Sequence, residues 1–231
     1  MNTLYVIPAR AGSKGIIKKN VRKIGGKPLV VHSLLQARWF SADDHICVST
    51  DDPEVVNAAE TEGYSVPFMR PYSLSGDNAG MRDVLLHALN YYEEVAGIKY
   101  DRLVLLQPTS PFRTRKNIED ALSIFDLSLD MVVSVTESKA NPYFILFEET
   151  TDGYLVKSKK GTFLSRQDCP KVWQLNGAIY VINTSSLRKS NLADFEKIRK
   201  VEMDTLHSVD LDNELDWKWA VFLNEEYHLL K

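Results

Sequence analysis

The sequence predicts an α/β fold: a mostly parallel sheet with helices on both faces. Three observations carry this. Short β-rich runs alternate with helix-period segments over the first 135 residues. The runs are apolar at consecutive rather than alternate positions, the pattern of strands buried on both faces. Each helical segment is long enough to serve as the crossover that joins two parallel strands.

The strands are expected at Leu4–Ile7, Ile46–Ser49, Val66–Met69, Leu103–Leu106 and Met131–Val135. Between them, Pro28–Phe40 has a proline near its start, Pro53–Glu62 runs into Gly63, Gly80–Val95 into Gly97, and Lys116–Leu127 completes the set. Those prolines and glycines sit where helices begin and end. In the third helix Leu85, Leu89 and Tyr92 form an i, i+4, i+7 stripe beside Ala88. The rhythm breaks near Glu137, where Tyr143–Glu148, Asp152-Gly153 and Tyr154–Lys157 read as a β-hairpin, since Asp-Gly supplies the positive φ that tight turns demand. A lone hairpin is marginal in water, so Phe144, Leu146 and Tyr154 are expected to pack on something else, a second subunit being one candidate. Strands resume at Ala178–Ile182 and Lys200–Met203, and a last helix spans Asn213–Leu230 with Leu215, Trp219, Phe222 and Leu223 on one face. The expected organisation is a single domain over residues 1–231 with an excursion at about 138–171.

Composition narrows the function. The 231 residues carry a net charge of −3 with 44% hydrophobic and 26% charged residues, and no block of like charge. That disfavours a general nucleic-acid or membrane-surface partner, and no apolar run approaches the roughly 18 residues of a membrane span. Cys47 and Cys169 lack any C-x-x-C or Cys/His metal spacing. The opening residues lack a basic start and long apolar stretch, so a cytoplasmic setting is expected.

Four segments could carry chemistry. Pro8 to Gly15 and Lys18-Lys19-Asn20 follow the first strand directly, where ligands bind in open α/β sheets. Gly12 and Gly15 let backbone N–H groups approach an anion, Ser13 offers a hydroxyl, and Arg10, Lys14 and Lys19 bring positive charge. This is the make-up of a polyphosphate cradle, or else of a solvated basic loop. Gly25-Gly26-Lys27-Pro28 lacks the Ser/Thr of a P-loop, and no G-x-G-x-x-G is present. In Asp210-Leu211-Asp212, alternate residues of an extended segment point the same way, so two carboxylates could share a hard cation such as Mg²⁺. Equally, Asp212 or Asn213 could cap the last helix. Gln107, Thr109 and Ser110, stiffened by Pro108 and Pro111, follow a buried strand, and Asn176-Gly177 opens another that contains Tyr180. Each of these also reads as a plain turn or core strand.

Taken together, these segments resemble the acylneuraminate cytidylyltransferases, the CMP-sialic acid synthetase family. The resemblance rests on Ile7-Pro8-Ala9-Arg10 through Ser13-Lys14-Gly15 and Lys19-Asn20, Ser49-Thr50-Asp51-Asp52, Arg70-Pro71, Leu106 to Arg113, Asn176 to Tyr180 and Asp210-Leu211-Asp212, in family order from residue 4 to about 220. It implies a Rossmann-like nucleotide-diphospho-sugar transferase fold, and a Mg²⁺-dependent reaction of CTP with a nine-carbon 2-keto sugar acid giving a CMP-sugar and pyrophosphate. By position it implies that Arg10, Ser13, Lys14, Lys19 and Asn20 hold the phosphates, with Arg70 near the cytosine. Gln107, Arg166, Asn176 and Tyr180 would line the sugar side, and Asp210 and Asp212 the metal; Arg10, Lys19 and Asp212 would carry catalysis. The excursion matches the family's dimerisation segment, implying a homodimer.

This chain departs from the family in three places. Gly80 and Met81 stand where many members have Ser or Thr, Gln174-Leu175 where some have an Arg, and Tyr143-Phe144 where some have a basic residue. The missing cation keeps a legionaminic-type acid in play beside a sialic one. Transfer to the eight-carbon acid Kdo, and a nucleotide-sugar binding protein without turnover, are the alternatives.

Overall fold

The computed structural model describes residues 1–12, 14–76 and 79–230. In chain order, β1 (Thr3–Pro8) leads into a loop and a ribbon of β2 (Lys23–Ile24) and β3 (Lys27–Pro28), then α1 (Leu29–Ala37), β4 (Ile46–Ser49) and α2 (Pro53–Thr61). α3 (Met81–Ala96), β5 (Arg102–Leu106), α4 (Arg115–Ile124) and β6 (Met131–Glu137) follow. The excursion contributes β7 (Phe147–Glu149) and β8 (Leu155–Lys157), before β9 (Trp173–Asn183), α5 (Thr184–Lys189), β10 (Ile198–Glu202) and α6 (Glu214–Tyr227).

Six strands form one sheet in the order β10-β6-β9-β5-β1-β4. The β1–β4, β1–β5 and β6–β10 pairs are parallel, and β9 runs antiparallel between β5 and β6. The consecutive apolar residues of β1 divide between the faces, as the period of two requires. Tyr5 and Ile7 pack with α1, α2 and α4, while Leu4 and Val6 pack with α3 and α5. Both faces are thus covered, as the apolar runs predict. A third cluster, beside the sheet, joins Ile16 and Ile24 to Phe112, Leu211 and Trp217.

The structure corrects several expectations. Val66–Met69 is not a strand: only an isolated bridge links Met69 to Thr50, and Pro67 removes a ladder donor from the run. Phe68 still packs on the core. The expected apolar face of α6 is largely solvent-facing, with Leu215, Trp219 and Phe222 exposed and Trp217, Ala220 and Leu223 buried. Trp217 wins because Ile16, Leu211 and Phe112 surround it and the Arg22 guanidinium lies 4.4 Å from its ring centre. The hairpin forms with Gly153 at φ +81°, but Leu146, Tyr154, Leu155 and Val156 remain exposed within the chain. Among the described residues no helix is long and apolar enough to cross a membrane.

Candidate active site

A cleft of about 500 Å³ opens beyond the carboxyl ends of β1 and β5. Its walls include Arg10, Lys14, Lys19 and Asn20 on one side, Arg70 and Met81 on another, and Gln107 and Asp212 between them. Sequence segments spread over 200 residues therefore meet at the end of the sheet where α/β proteins bind ligands.

The basic loop and the acidic pair are in direct contact. Gly15 packs so closely on the second that a Cβ built on it would lie 1.8 Å from the Asp212 carbonyl oxygen. No other residue fits there without moving the loop. Lys19, with a side chain only 13% exposed, donates from Nζ to the Leu211 carbonyl at 2.6 Å and lies 3.9 Å from Asp212 Oδ1. Asn20 lines the cleft while its Nδ2 donates to the Arg10 carbonyl at 3.0 Å, fixing the course of the loop. Ser13 lies outside the described residues.

Capping of α6 does not explain the two aspartates. Asn213 is the cap, accepting from Leu215 N and Asp216 N, and Asp216 returns the bond to Asn213 N at 2.9 Å. Asp212 is left with its side chain 75% exposed in the cleft. Asp210 is the opposite: its Oδ1 is buried without a hydrogen-bond partner, and burial pushes its carboxyl above the usual aspartate range. The field of Asp212 adds to the rise, while Thr109 and Lys19 oppose it. A buried carboxylate oxygen without a donor suits an ion. Among the described residues no group of three or more His, Cys, Asp or Glu could hold a metal. Two carboxylates alone fit Mg²⁺, which keeps water and substrate phosphates as its other ligands.

The third wall is organised by Arg113, which closes the loop after β5 and is 2% exposed. Its Nε donates to Gln36 Oε1 at 2.6 Å, one Nη to Ser33 Oγ and the Gln107 carbonyl, both at 2.6 Å, and the other Nη to the Ala178 carbonyl. Burial pulls its pKa down to about 9, against which Asp210 acts. Arg113 thereby ties α1, the β5 loop and β9 together behind the cleft. The only sequence signal for it is its place at the end of the Gln107-to-Arg113 segment.

The sugar-side residues separate. Gln107 lines the cleft. Asn176 is 5% exposed and fully engaged: Oδ1 accepts from Ser134 Oγ at 2.6 Å and Ala178 N at 3.2 Å, and Nδ2 donates to Ser208 Oγ at 2.9 Å. Its bonds brace β9 across the bulge between Val133 and Val135, and it is not part of the cleft wall. The adjacent Gly177 sits beside Asp210 at φ +73°, a backbone conformation that a side chain would strain. Tyr180 is half-buried against the α3 side of the sheet, its phenol raised by burial and by Asp210. Arg166 is exposed in the excursion and is not part of the cleft wall in the single chain. Met81 and Ala79 line the cleft together with Arg70.

The family model described as Cytidylyltransferase matches residues 4–216. Post-translational flagellin modification protein B of Campylobacter coli is 34% identical over 98% of this chain and 96% of its own. CMP-N,N'-diacetyllegionaminic acid synthase of Legionella pneumophila is 31% identical over 94% of each chain. Among solved structures, CMP:2-keto-3-deoxy-manno-octonic acid synthetase complexed with CTP superposes with a TM-score of 0.71 at 18% identity, covering 98% of this chain and 99% of that one.

Proposed function

Since the chain belongs to the cytidylyltransferase family, we propose that it transfers the cytidylyl group of CTP to a nonulosonic acid, giving a CMP-sugar and pyrophosphate. The contact of Gly15 and Lys19 with the Asp210–Asp212 segment carries the reading, because it joins a phosphate cradle to a segment with two carboxylates, of which Asp212 lines the cleft. The relatives named for CMP-legionaminic acid synthesis make a legionaminic-type acid the first sugar to test. The Kdo synthetase shares the fold alone.

In this reading Arg10, Lys14 and Lys19 neutralise the triphosphate, with Asn20 ordering their loop. Ser13 joins them by its place in the sequence. Arg70 lies at the pyrimidine end and Gln107 at the sugar end. Asp210 and Asp212 would hold Mg²⁺, which would supply Lewis-acid polarisation of the α-phosphate. The anomeric hydroxyl attacks the α-phosphorus and loses its proton to solvent, the bond from the α-phosphorus to the oxygen bridging to the β-phosphorus breaks, and the basic loop takes the charge of the departing pyrophosphate. Catalysis is then positioning plus charge stabilisation, with no protein nucleophile. The exposed apolar residues of the hairpin belong to a homodimer contact, and Arg166 joins the sugar side by its place in the sequence. The setting is the cytoplasm.

The test is pyrophosphate release from CTP and Mg²⁺ with a panel of legionaminic, sialic, pseudaminic and Kdo acids. Release with a nine-carbon acid is expected. Release with Kdo alone shifts the substrate, and CTP binding without release from any acid leaves a binding protein.

A further inference from the structure

Asp51 lies behind the cleft, between its two nucleotide walls, and one of its oxygens serves both. Oδ1 accepts the Ala11 N–H of the phosphate loop at 2.9 Å and a guanidinium N–H of Arg70 at 3.2 Å. We infer that Asp51 is a positioning residue that couples the phosphate loop to the Arg70 wall, so that the two ends of a bound nucleotide are held through one carboxylate. The inference rests on the nucleotide reading above.

Four further observations support it. Asp51 is not needed to start α2, because the neighbouring Asp52 is the cap and accepts from Glu54 N at 2.9 Å. Arg70 has a side chain only 3% exposed, and its Nε is buried without a hydrogen-bond partner, so its orientation depends on the pair with Asp51. Burial pulls the Arg70 guanidinium below its ordinary range, with Asp51 opposing. Ala11 precedes Gly12, whose φ of +71° turns the loop, so fixing the Ala11 N–H fixes where the turn begins.

The adjoining backbone already links the same segments. Thr50 Oγ1 donates to the Ala9 carbonyl at 2.6 Å, and the Thr50 carbonyl accepts from Arg70 N at 2.7 Å. Those bonds set the course of the backbone beyond the ends of β1 and β4. Asp51 reaches both the loop and the Arg70 guanidinium with its side chain.

Charge supplies a test by sign. A carboxylate behind a triphosphate site repels the polyanion, so electrostatics alone predicts that removing Asp51 tightens phosphate binding. A coupling residue predicts weakening at both ends. Calorimetric titration of the full-length protein with CTP, tripolyphosphate and cytidine, for wild type, Asp51→Asn and Asp51→Ala, separates the two.

We expect Asp51→Ala to weaken CTP by about 10- to 100-fold, and tripolyphosphate and cytidine each by about threefold or more, the range of coupling between contacting residues. Asp51→Asn falls between, because its amide oxygen still accepts from Ala11. If the alanine variant does not fold, the asparagine variant decides on the same sign. Tighter tripolyphosphate binding, unchanged affinities, or a loss confined to one of the two fragments overturns the coupling. Wild-type protein that binds neither CTP nor tripolyphosphate overturns the nucleotide reading, and this inference with it.

Discussion

The two ends of the sheet treat buried polar groups differently. At the amino end they are satisfied. Glu93 accepts from Lys99 Nζ and Arg188 Nη2, both at 2.7 Å, Asn183 donates to the Leu127 and Leu129 carbonyls at 3.1 Å, and Thr184 Oγ1 donates to the Tyr100 carbonyl at 2.6 Å. At the carboxyl end Arg113 and Asn176 are satisfied too, but some neighbours are not. Among the described residues, the buried side-chain atoms without a partner are Ser49 Oγ, Arg70 Nε, His87 Nδ1 and Asp210 Oδ1, all on that side of the molecule. An unpartnered buried polar atom costs about 1–3 kcal/mol. The contrast sets a fully paired end against the end that carries the cleft.

The largest expected effect is on turnover at the carboxyl end. Asp212→Ala should lower kcat by about 10³-fold, the scale of losing a group aimed at developing charge, with CTP affinity largely kept. Its Tm should barely move, since the side chain makes only a long contact to Lys19. Near-normal pyrophosphate release from this variant would remove Asp212 from the chemistry.

Arg113 stands between the two regimes, a buried cation that satisfies others while lacking a hydrogen-bonded carboxylate of its own. Arg113→Met leaves the Gln107 and Ala178 carbonyls, Ser33 and Gln36 without it, and should cost about 3 kcal/mol or more in denaturant unfolding. Where the variant folds, KM for the sugar acid should rise more than KM for CTP, because Gln107 moves first. A stability change near zero would show that the surrounding groups find other partners.

Much of this was legible in the sequence, and what was not has physical reasons. Consecutive apolar residues in β1, β4, β5 and β6 announce strands covered on both faces, and the structure covers them with α1, α2 and α4 on one side and α3 and α5 on the other. Arg10, Lys14, Lys19, Gln107 and Asp212 share a cleft because each follows or faces a strand end, a relation that chain order reveals. Asn176 reads as a sugar contact from its place at a strand start, and its bonds to Ser134, Ala178 and Ser208 are not legible there, because a polar residue at that position looks the same whether it faces a ligand or braces a bulge. Arg166 reads as a sugar contact only by position, and nothing in the single chain carries it to the cleft. The roles of Asp51 and Arg113 depend on partners distant in sequence, Ala11 and Arg70 for one and Gln36 and Ala178 for the other, which no local pattern encodes.

A smaller effect tests the amino end. Hydrogen bonds from Lys99 and Arg188 outweigh burial and hold the Glu93 carboxyl below the usual glutamate range. A lowered acid stabilises the fold above its unfolded pKa, and that stability is lost as pH falls through the folded value. Glu93→Gln should therefore cost about 2 kcal/mol at pH 7, with the deficit shrinking below about pH 4, and should leave turnover unchanged. A deficit independent of pH would mean that packing rather than charge is at stake.

The smallest expected effect concerns α6, whose two apolar faces make periodicity ambiguous. Leu215 is 75% exposed and Trp219 and Phe222 about half, whereas Trp217 is 3% exposed among Ile16, Leu211 and Phe112. Leu215→Ser should change stability by no more than about 0.5 kcal/mol, as surface substitutions do. Trp217→Ala, one turn face away, should cost about 3–5 kcal/mol by leaving a cavity. The pair is informative because Leu215 also lies three residues after Asp212, on the helix that Asn213 caps beside the cleft. A loss of turnover in Leu215→Ser without a loss of stability would assign the exposed stripe to the carboxyl end of the molecule, and the boundary between the two regimes would then run along α6 rather than at its first turn.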